Sequence, residues 1–189
     1  MKRLLLACAV LVAVSSNAYA QCAGTQSPVR VYLMYGLLSS LMSSGMSDLT
    51  DKLNRIPGVK ASVHEWLSSG SIAEDALKQN GAVVFGGHSI GANAAVTIAR
   101  QLNGKRRVAL ILGFDPSSLA GLDAVPPNVD RAIGFRQDHN PFGGNKLVAA
   151  SSGTSVSNQF HDINHIAIDK HAQIHAASIA AVCAAGNRG

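Results

Sequence analysis

The sequence predicts an α/β protein, a three-layer sandwich in which a mostly parallel sheet of about six strands carries helices on both faces. Short β-rich apolar runs alternate along the chain with longer segments whose apolar residues recur at helical spacing. Parallel neighbours need crossover connections, and intervening helices can supply them. We find no internal repeat, low-complexity tract or linker, so we expect one domain.

The first 20 residues are predicted to be a secretory signal peptide. Lys2 and Arg3 form a basic start, residues 4–14 form an apolar core too short to span a bilayer, and Ala18-Tyr19-Ala20 is a small-x-small cleavage site. We therefore expect cleavage near Ala20 and an exported (periplasmic or secreted) domain over residues 21–189. Such a protein keeps no stable membrane anchor after cleavage.

Composition narrows the possible partners. Loss of Lys2 and Arg3 lowers the basic residues from 16 to 14, which against 11 acidic residues leaves a net charge of +3. This balance is too mild to imply nucleic-acid binding. The 47% hydrophobic and 14% charged content excludes a disordered chain and favours a compact core.

Six short runs are the predicted strands, and four segments between and after them are the predicted helices. The strands cover residues 29–35, 59–64, 82–86, 108–113, 131–135 and 147–150. The first helix, 47–56, is stopped by Pro57-Gly58, and the second, 71–80, opens with a capping box of Ser71 and Glu74. The third follows Gly91 and ends at Asn103-Gly104, and the last covers about 169–185.

Two cysteines remain after signal cleavage, one near each end of the mature chain. Cys8 leaves with the signal, and Cys22 and Cys183 stay. In an oxidising compartment we expect them to pair, with two unpaired thiols as the alternative. Closing so long a loop would stabilise the fold by roughly 4–5 kcal/mol on the chain-entropy model.

The segment Gly87-His88-Ser89-Ile90-Gly91 lies between a buried strand and an amphipathic helix. In that context G-x-S-x-G is typical of a nucleophile elbow. The turn lifts the serine hydroxyl above the sheet, and helix-start N–H groups face a developing oxyanion. A side chain at either flanking glycine would crowd the neighbouring strand or helix. Ser89 is therefore the candidate nucleophile.

With this elbow the sequence resembles the α/β-hydrolase fold family, specifically its small lipase, esterase and thioesterase members. The resemblance covers essentially the whole mature chain in element order. It implies that an acid and then a histidine follow Ser89, on loops at the carboxyl ends of later strands.

Two aspartates are candidates for the acid. Asp115 directly follows a predicted strand in Gly113-Phe114-Asp115-Pro116, which looks like the Asp-Pro found after the corresponding strand in some lipases. Asp138 follows the next strand, the commoner position in the wider family, but lies in a polar turn. We favour Asp115 and keep Asp138 as the alternative.

Two histidines between the last strand and the last helix are candidates for the base. We favour His165, because the apolar Ile166-Ala167-Ile168 that follows it would anchor the loop against the core. The alternative is His161. In the implied mechanism the histidine takes the Ser89 proton, and the acid orients its ring.

The resemblance also implies where the oxyanion would bind. One donor is the Ile90 N–H, and the second comes from the loop after the first strand, where we choose the Leu37 N–H that follows Gly36. An apolar lip from the segment 37–46 could bind an acyl chain. The predicted substrate contacts are Leu38, Met42 and, at the elbow, His88.

The expected function is hydrolysis of small-molecule or lipid carboxylic esters by a serine hydrolase, because an exported enzyme meets little coenzyme A. The alternatives are a thioesterase with the same triad and a non-catalytic binding protein on this scaffold. No cofactor is implied. His171 and His175 have helical spacing but lack the glutamate of a zinc motif, so no metal is expected. The oligomeric state stays open.

Overall fold

A computed structural model describes residues 25–38, 41–139 and 141–188 of the 189-residue chain. Strands and helices are numbered here in chain order: β1 Val29–Met34, α1 Ser44–Asn54, β2 Val59–His64, α2 Ser69–Lys78, β3 Ala82–His88, α3 Ile90–Gln101, β4 Leu110–Phe114, β5 Arg131–Arg136, β6 Ser155–Phe160 and α4 Ala172–Gly186. The predicted signal peptide, its cleavage site and Cys22 lie outside the described residues.

The strands form one sheet in the order β2-β1-β3-β4-β5-β6, and every neighbouring pair is parallel. This confirms the predicted α/β fold class with a six-stranded parallel sheet. Among the described helices, none is both long and apolar enough to cross a membrane.

Side chains alternate between two cores because successive strand residues point to opposite faces. On β1, Val31 and Leu33 join the cluster that packs beneath α1 and α4, whereas Tyr32 and Met34 join the cluster beneath α2 and α3. Helices therefore cover both faces of the sheet, as predicted.

The last strand is not where the apolar pattern placed it. The prediction of a strand at 147–150 is wrong: this segment makes only an isolated bridge between Val125 and Ala149, and β6 is Ser155–Phe160. Leu147 is 2% exposed because it packs with Val125 and Val129 on the sheet face. In the described residues no helix connects β4 to β5 or β5 to β6, so these loop residues provide the apolar cover.

The helix starts also differ from the pattern. The predicted capping box is wrong, because α2 begins at Ser69 with Ser68 before it, and Ser71 Oγ donates to the Ser68 carbonyl inside the first turn. Helix α1 begins at Ser44 rather than Ser47. A short 3₁₀ turn, Ile168–Lys170, precedes α4. These differences leave the layers and the sheet order unchanged.

Candidate active site

The candidate residues meet at one edge of the sheet. Parallel strands bring all their carboxyl ends to the same edge, where ligand sites of open α/β sheets form. Gly36 follows β1, Ser89 follows β3, Asp115 follows β4, Gln137 follows β5, and His165 lies on the loop after β6. Residues far apart in the sequence thus share one surface.

Ser89 occupies a strained turn between β3 and α3. Its backbone has φ 55° and ψ −123°, a conformation that residues with a side chain rarely adopt. A side-chain carbon added at Gly87 would overlap the backbone of Gly91. A side-chain carbon added at Gly91 would lie 2.5 Å from the carbonyl oxygens of Met34 and Tyr35. Both glycines therefore let strand, turn and helix pack together, as the elbow pattern predicts.

Asp115 and His165 form a buried pair. The Nδ1 atom of His165 lies 2.6 Å from Asp115 Oδ2, and their side chains are 10% and 0% exposed. This contact leaves the Nε2 atom of His165 for a proton transfer. A glycine at position 143 is required here, because a side-chain carbon on Gly143 would overlap the Asp115 carboxylate and contact His165 Nδ1.

The Asp115 carboxylate is held as an anion. Burial alone would raise the pKa of Asp115, but hydrogen bonds outweigh that effect and lower its pKa below the ordinary value. The donors are His165, the side chain and backbone N–H of Gln137, at 2.7 and 3.2 Å, and the Gly144 N–H at 2.7 Å. An ionised Asp115 requires the proton on Nδ1 of His165 and stabilises an imidazolium.

The structure brings neither alternative residue into this pair. Asp138 is exposed, one position beyond the buried Gln137. The His161 ring packs against Phe135 and His171 at centroid distances of 5.9 and 6.1 Å, and its Nε2 atom is buried without a partner among the described residues. The geometry therefore favours Asp115 and His165.

The loop after β1 lies directly against the elbow. A side-chain carbon on Gly36 would lie 3.1 Å from Ser89 Cβ and 3.0 Å from the His88 carbonyl oxygen. The Gly36 N–H donates to Ser43 Oγ, while the Leu37 N–H has no hydrogen-bond partner among the described residues. The Leu37 N–H therefore has no competing hydrogen bond among the described residues, on a loop that approaches Ser89.

His88 is placed differently from its predicted substrate contact. Its side chain is 2% exposed, and both ring nitrogens are engaged, with Ser43 Oγ and the His165 carbonyl oxygen each 2.8 Å away. Burial, followed by the neighbouring His165, lowers the pKa of His88 to about 4. The ring is therefore neutral near pH 7 and lies beneath the site rather than on its surface.

Exposed apolar side chains surround the site. They come from loops after four different strands: Leu37, Leu38 and Leu41 after β1, Leu119 after β4, Phe142 after β5 and Ile166 after β6. Met42 is half-buried, and Met46 belongs to the core at 0% exposure. Of the residues predicted for an apolar lip, the leucines are exposed, whereas Met46 belongs to the core.

Histidines elsewhere do not assemble a metal centre among the described residues, where no group of three or more His, Cys, Asp or Glu could hold an ion. His175 is buried, at 2% exposure. Its Nδ1 atom lies 2.9 Å from Lys52 Nζ, and its Nε2 atom faces the Asp169 carbonyl oxygen at 2.5 Å.

Sequence reasoning missed three supporting residues at the site: Gln137, Ser43 and Gly143. Gln137 is next to Asp138, in the turn that we described as polar, and it is 0% exposed and donates a hydrogen bond to Asp115. A polar residue directly after a buried parallel strand was the available signal. Ser43 and Gly143 act through partners distant in sequence, and no local pattern marks them.

No protein-family model matches the chain, and no curated protein sequence matches it. Solved structures similar to it include members of the α/β-hydrolase superfamily. A protein assigned to that superfamily from Xanthomonas campestris shares 16% identity over 82% of this chain and 98% of its own, with a TM-score of 0.46. A metagenome-derived structure titled for the lipolytic enzymes LipS and LipT shares 14% over 75% and 86%, with a TM-score of 0.47. The surfactin-cyclising thioesterase domain SrfTE shares 15% over 76% and 85%, with a TM-score of 0.44. Likenesses this distant leave activity to be inferred from the site.

Proposed function

We propose that this protein is a serine hydrolase that cleaves carboxylic esters through an acyl-enzyme on Ser89. The buried Asp115–His165 pair, at the same sheet edge as a serine in a strained elbow, carries the proposal. A structural turn needs neither a strained serine nor a buried aspartate–histidine pair, whereas an activated nucleophile uses both.

In the proposed mechanism, Nε2 of His165 accepts the Ser89 proton as Oγ attacks the ester carbonyl. The ionised Asp115 holds the Nδ1–H tautomer and stabilises the imidazolium that forms. The N–H groups of Leu37 and Ile90 stabilise the oxyanion. His165 then protonates the departing alcohol, and water, activated by the same ring, hydrolyses the acyl-enzyme.

The exposed apolar side chains around the site support, as substrate, an ester with a hydrocarbon acyl or alcohol part. Leu37, whose backbone N–H is the proposed oxyanion donor, and its neighbour Leu38 are 51% and 62% exposed, so their side chains are available to contact such a chain. We also propose that the protein is exported after cleavage near Ala20 and that Cys22 pairs with Cys183. Export favours an ester over a coenzyme A thioester, because little coenzyme A is met outside the cytoplasm.

The test uses the purified mature protein and nitrophenyl esters of increasing acyl length, with a thioester of the best acyl chain beside them. We expect saturable ester hydrolysis that Ser89→Ala abolishes. A higher kcat/KM for the thioester would change the proposed substrate class from esters to thioesters and leave the proposed mechanism unchanged. Full ester hydrolysis by Ser89→Ala would contradict the proposal, and inactivity of the wild type on every ester and thioester would favour a non-catalytic binding protein.

A further inference from the structure

A continuous hydrogen-bond chain runs beneath the candidate site. The Gly36 N–H donates to Ser43 Oγ over 3.0 Å, Ser43 Oγ lies 2.8 Å from His88 Nδ1, and His88 Nε2 lies 2.8 Å from the carbonyl oxygen of His165. Ser43 and His88 are 0% and 2% exposed. The chain therefore joins the loop after β1, the elbow and the loop that carries His165.

The proton positions along this chain follow from its partners. A carbonyl oxygen only accepts, so Nε2 of His88 carries the ring proton and donates it to His165. Ser43 Oγ receives the Gly36 N–H and directs its own proton to Nδ1 of His88. The low pKa of His88 agrees with a neutral ring in this single tautomer. Each donor thus has one acceptor.

We propose that His88 is a positioning residue, which holds the His165 loop and the oxyanion loop in register with Ser89 through one donated and one accepted hydrogen bond. This inference rests on the proposed function. His88 acts on the reacting atoms only through its neighbours. It precedes Ser89 in the sequence, and the centroid of its ring lies 4.6 Å from the centroid of the His165 ring.

The hydrogen-bond chain through Ser43 and His88 also determines which backbone N–H is available as the oxyanion donor. Because Ser43 engages the Gly36 N–H, that group cannot turn toward substrate, and the next amide, of Leu37, is the one left without a described partner. Loss of these hydrogen bonds would free the Gly36 peptide group to rotate and would displace the Leu37 amide that follows it. Displacements of about 1 Å can cost on the order of 10²-fold in rate.

A merely packed histidine would behave differently. Its replacement would lower the free energy of unfolding but leave kcat per folded active site unchanged. His88→Gln and His88→Met separate the two cases, because their side chains have similar length and only glutamine keeps one acceptor and one donor. Active sites are titrated with a fluorophosphonate, so that misfolded protein does not count.

We expect His88→Met to lower kcat on the order of 10²-fold with little change in KM, and His88→Gln to stay within about 10-fold of the wild type. Ser43→Ala removes the hydrogen bonds of Ser43 Oγ to the Gly36 N–H and to His88 Nδ1 and leaves the bond from His88 to the His165 carbonyl oxygen, so it should lower kcat less, about 10-fold. The matched control is Ser62→Ala, which removes another serine–histidine hydrogen bond, 2.7 Å long, between Ser62 and His64 on β2. It should keep full activity.

A second readout needs no turnover: the rate at which the Nδ1 proton of His165 exchanges with water, measured by NMR. We expect faster exchange in His88→Met and wild-type exchange in His88→Gln and Ser62→Ala. If the wild type shows no Ser89-dependent turnover while the exchange rates of the variants still follow this pattern, the result contradicts the proposed function and leaves the positioning role of His88 standing.

Two results would overturn the positioning role of His88. One is wild-type kcat and exchange in His88→Met, and the other is equal losses in His88→Met and His88→Gln, because the hydrogen bonds would then not be the cause. If His88→Met fails to fold, Ser43→Ala decides: kcat equal to that of the wild type would overturn the proposal.

Discussion

At the scale of single residues, Asp115 is the most constrained group of the site. Its backbone is in the left-handed region at φ 51°, its side chain is fully buried, and its carboxylate accepts hydrogen bonds from three residues. Strain of this kind persists only where surrounding contacts determine it. Asp115 is thus placed to hold His165, whereas Asp138 is exposed.

Asp115→Asn should lower kcat for ester hydrolysis by about 10⁴-fold, as the same change does in a triad protease, because an amide cannot hold the required histidine tautomer. Asp138→Asn is the matched control and should change kcat by less than about twofold, since an exposed turn residue contributes little. Steady-state kinetics on one soluble ester measures both. The opposite ranking would move the acid to Asp138.

Asp169 gives a pH-dependent prediction for stability. It is 0% exposed, and burial raises its pKa from 3.8 to about 6, outweighing the opposite effects of the Lys170 charge and of the Gly45 and Asp169 backbone N–H groups. A raised pKa means that the folded state binds the proton more tightly. The stability that this provides is complete below about pH 4 and is lost as the pH rises through 6.

Asp169→Asn should therefore be more stable than the wild type at pH 8, by about 1–3 kcal/mol, with the advantage shrinking toward pH 4. Urea denaturation of both proteins across this range measures the difference. An asparagine variant that is less stable than the wild type at pH 8 would show that the ionised carboxylate has a stabilising partner.

At the scale of elements, the elbow depends on how closely α3 approaches the end of β1. Gly91, in the first turn of α3, sits where any side-chain carbon would press on the carbonyl oxygens of Met34 and Tyr35. The same β1 end continues into Gly36 and the proposed oxyanion loop. Crowding at this point would thus displace both the nucleophile and its oxyanion donors.

Gly91→Ala should destabilise the fold by about 1–3 kcal/mol through overpacking and lower kcat on the order of 10²-fold. Gly70→Ala is the control, since Gly70 lies in the first turn of α2 with nothing within 4 Å of an added carbon. It should be neutral or stabilise by up to about 1 kcal/mol. Thermal unfolding and ester kinetics are compared; equal effects of the two changes would contradict the crowding argument.

The sequence predicted the elements whose signals are local. Strands β1, β3, β4 and β5 are largely buried apolar runs, β2 alternates apolar with polar residues, and the elbow is a contiguous motif. Strand β6 was missed because it is a mostly exposed polar edge strand. The strand predicted at 147–150 was wrong because a loop that covers the sheet, as Leu147 does, has the same apolar residues as a strand within it. Gln137 and Ser43 contact partners 22 and 45 positions away, and local patterns carry no such information.

At the scale of the whole molecule, the connections after the elbow strand determine access to the site. Between α3 and the 3₁₀ turn before α4, the described residues contain strands and loops without a helix that could form a lid. The surrounding apolar side chains are already exposed. An open site of this kind needs no oil–water interface to uncover it.

Soluble short-chain esters should therefore be hydrolysed below their solubility limit with ordinary saturation. Initial rates are measured across the solubility limit of one ester, with a soluble reference ester as the control for substrate effects. A sharp rise in rate that begins only when droplets or micelles form would contradict the open site.

The central claim is that Ser89 is a nucleophile activated by His165. The most direct measurement is the stoichiometry and position of fluorophosphonate labelling, read by intact-protein and peptide mass spectrometry. We predict one label per folded chain on Ser89, no label in Ser89→Ala, and strongly slowed labelling in His165→Ala. Labelling at another residue, or equal labelling rates in the wild type and His165→Ala, would contradict the account.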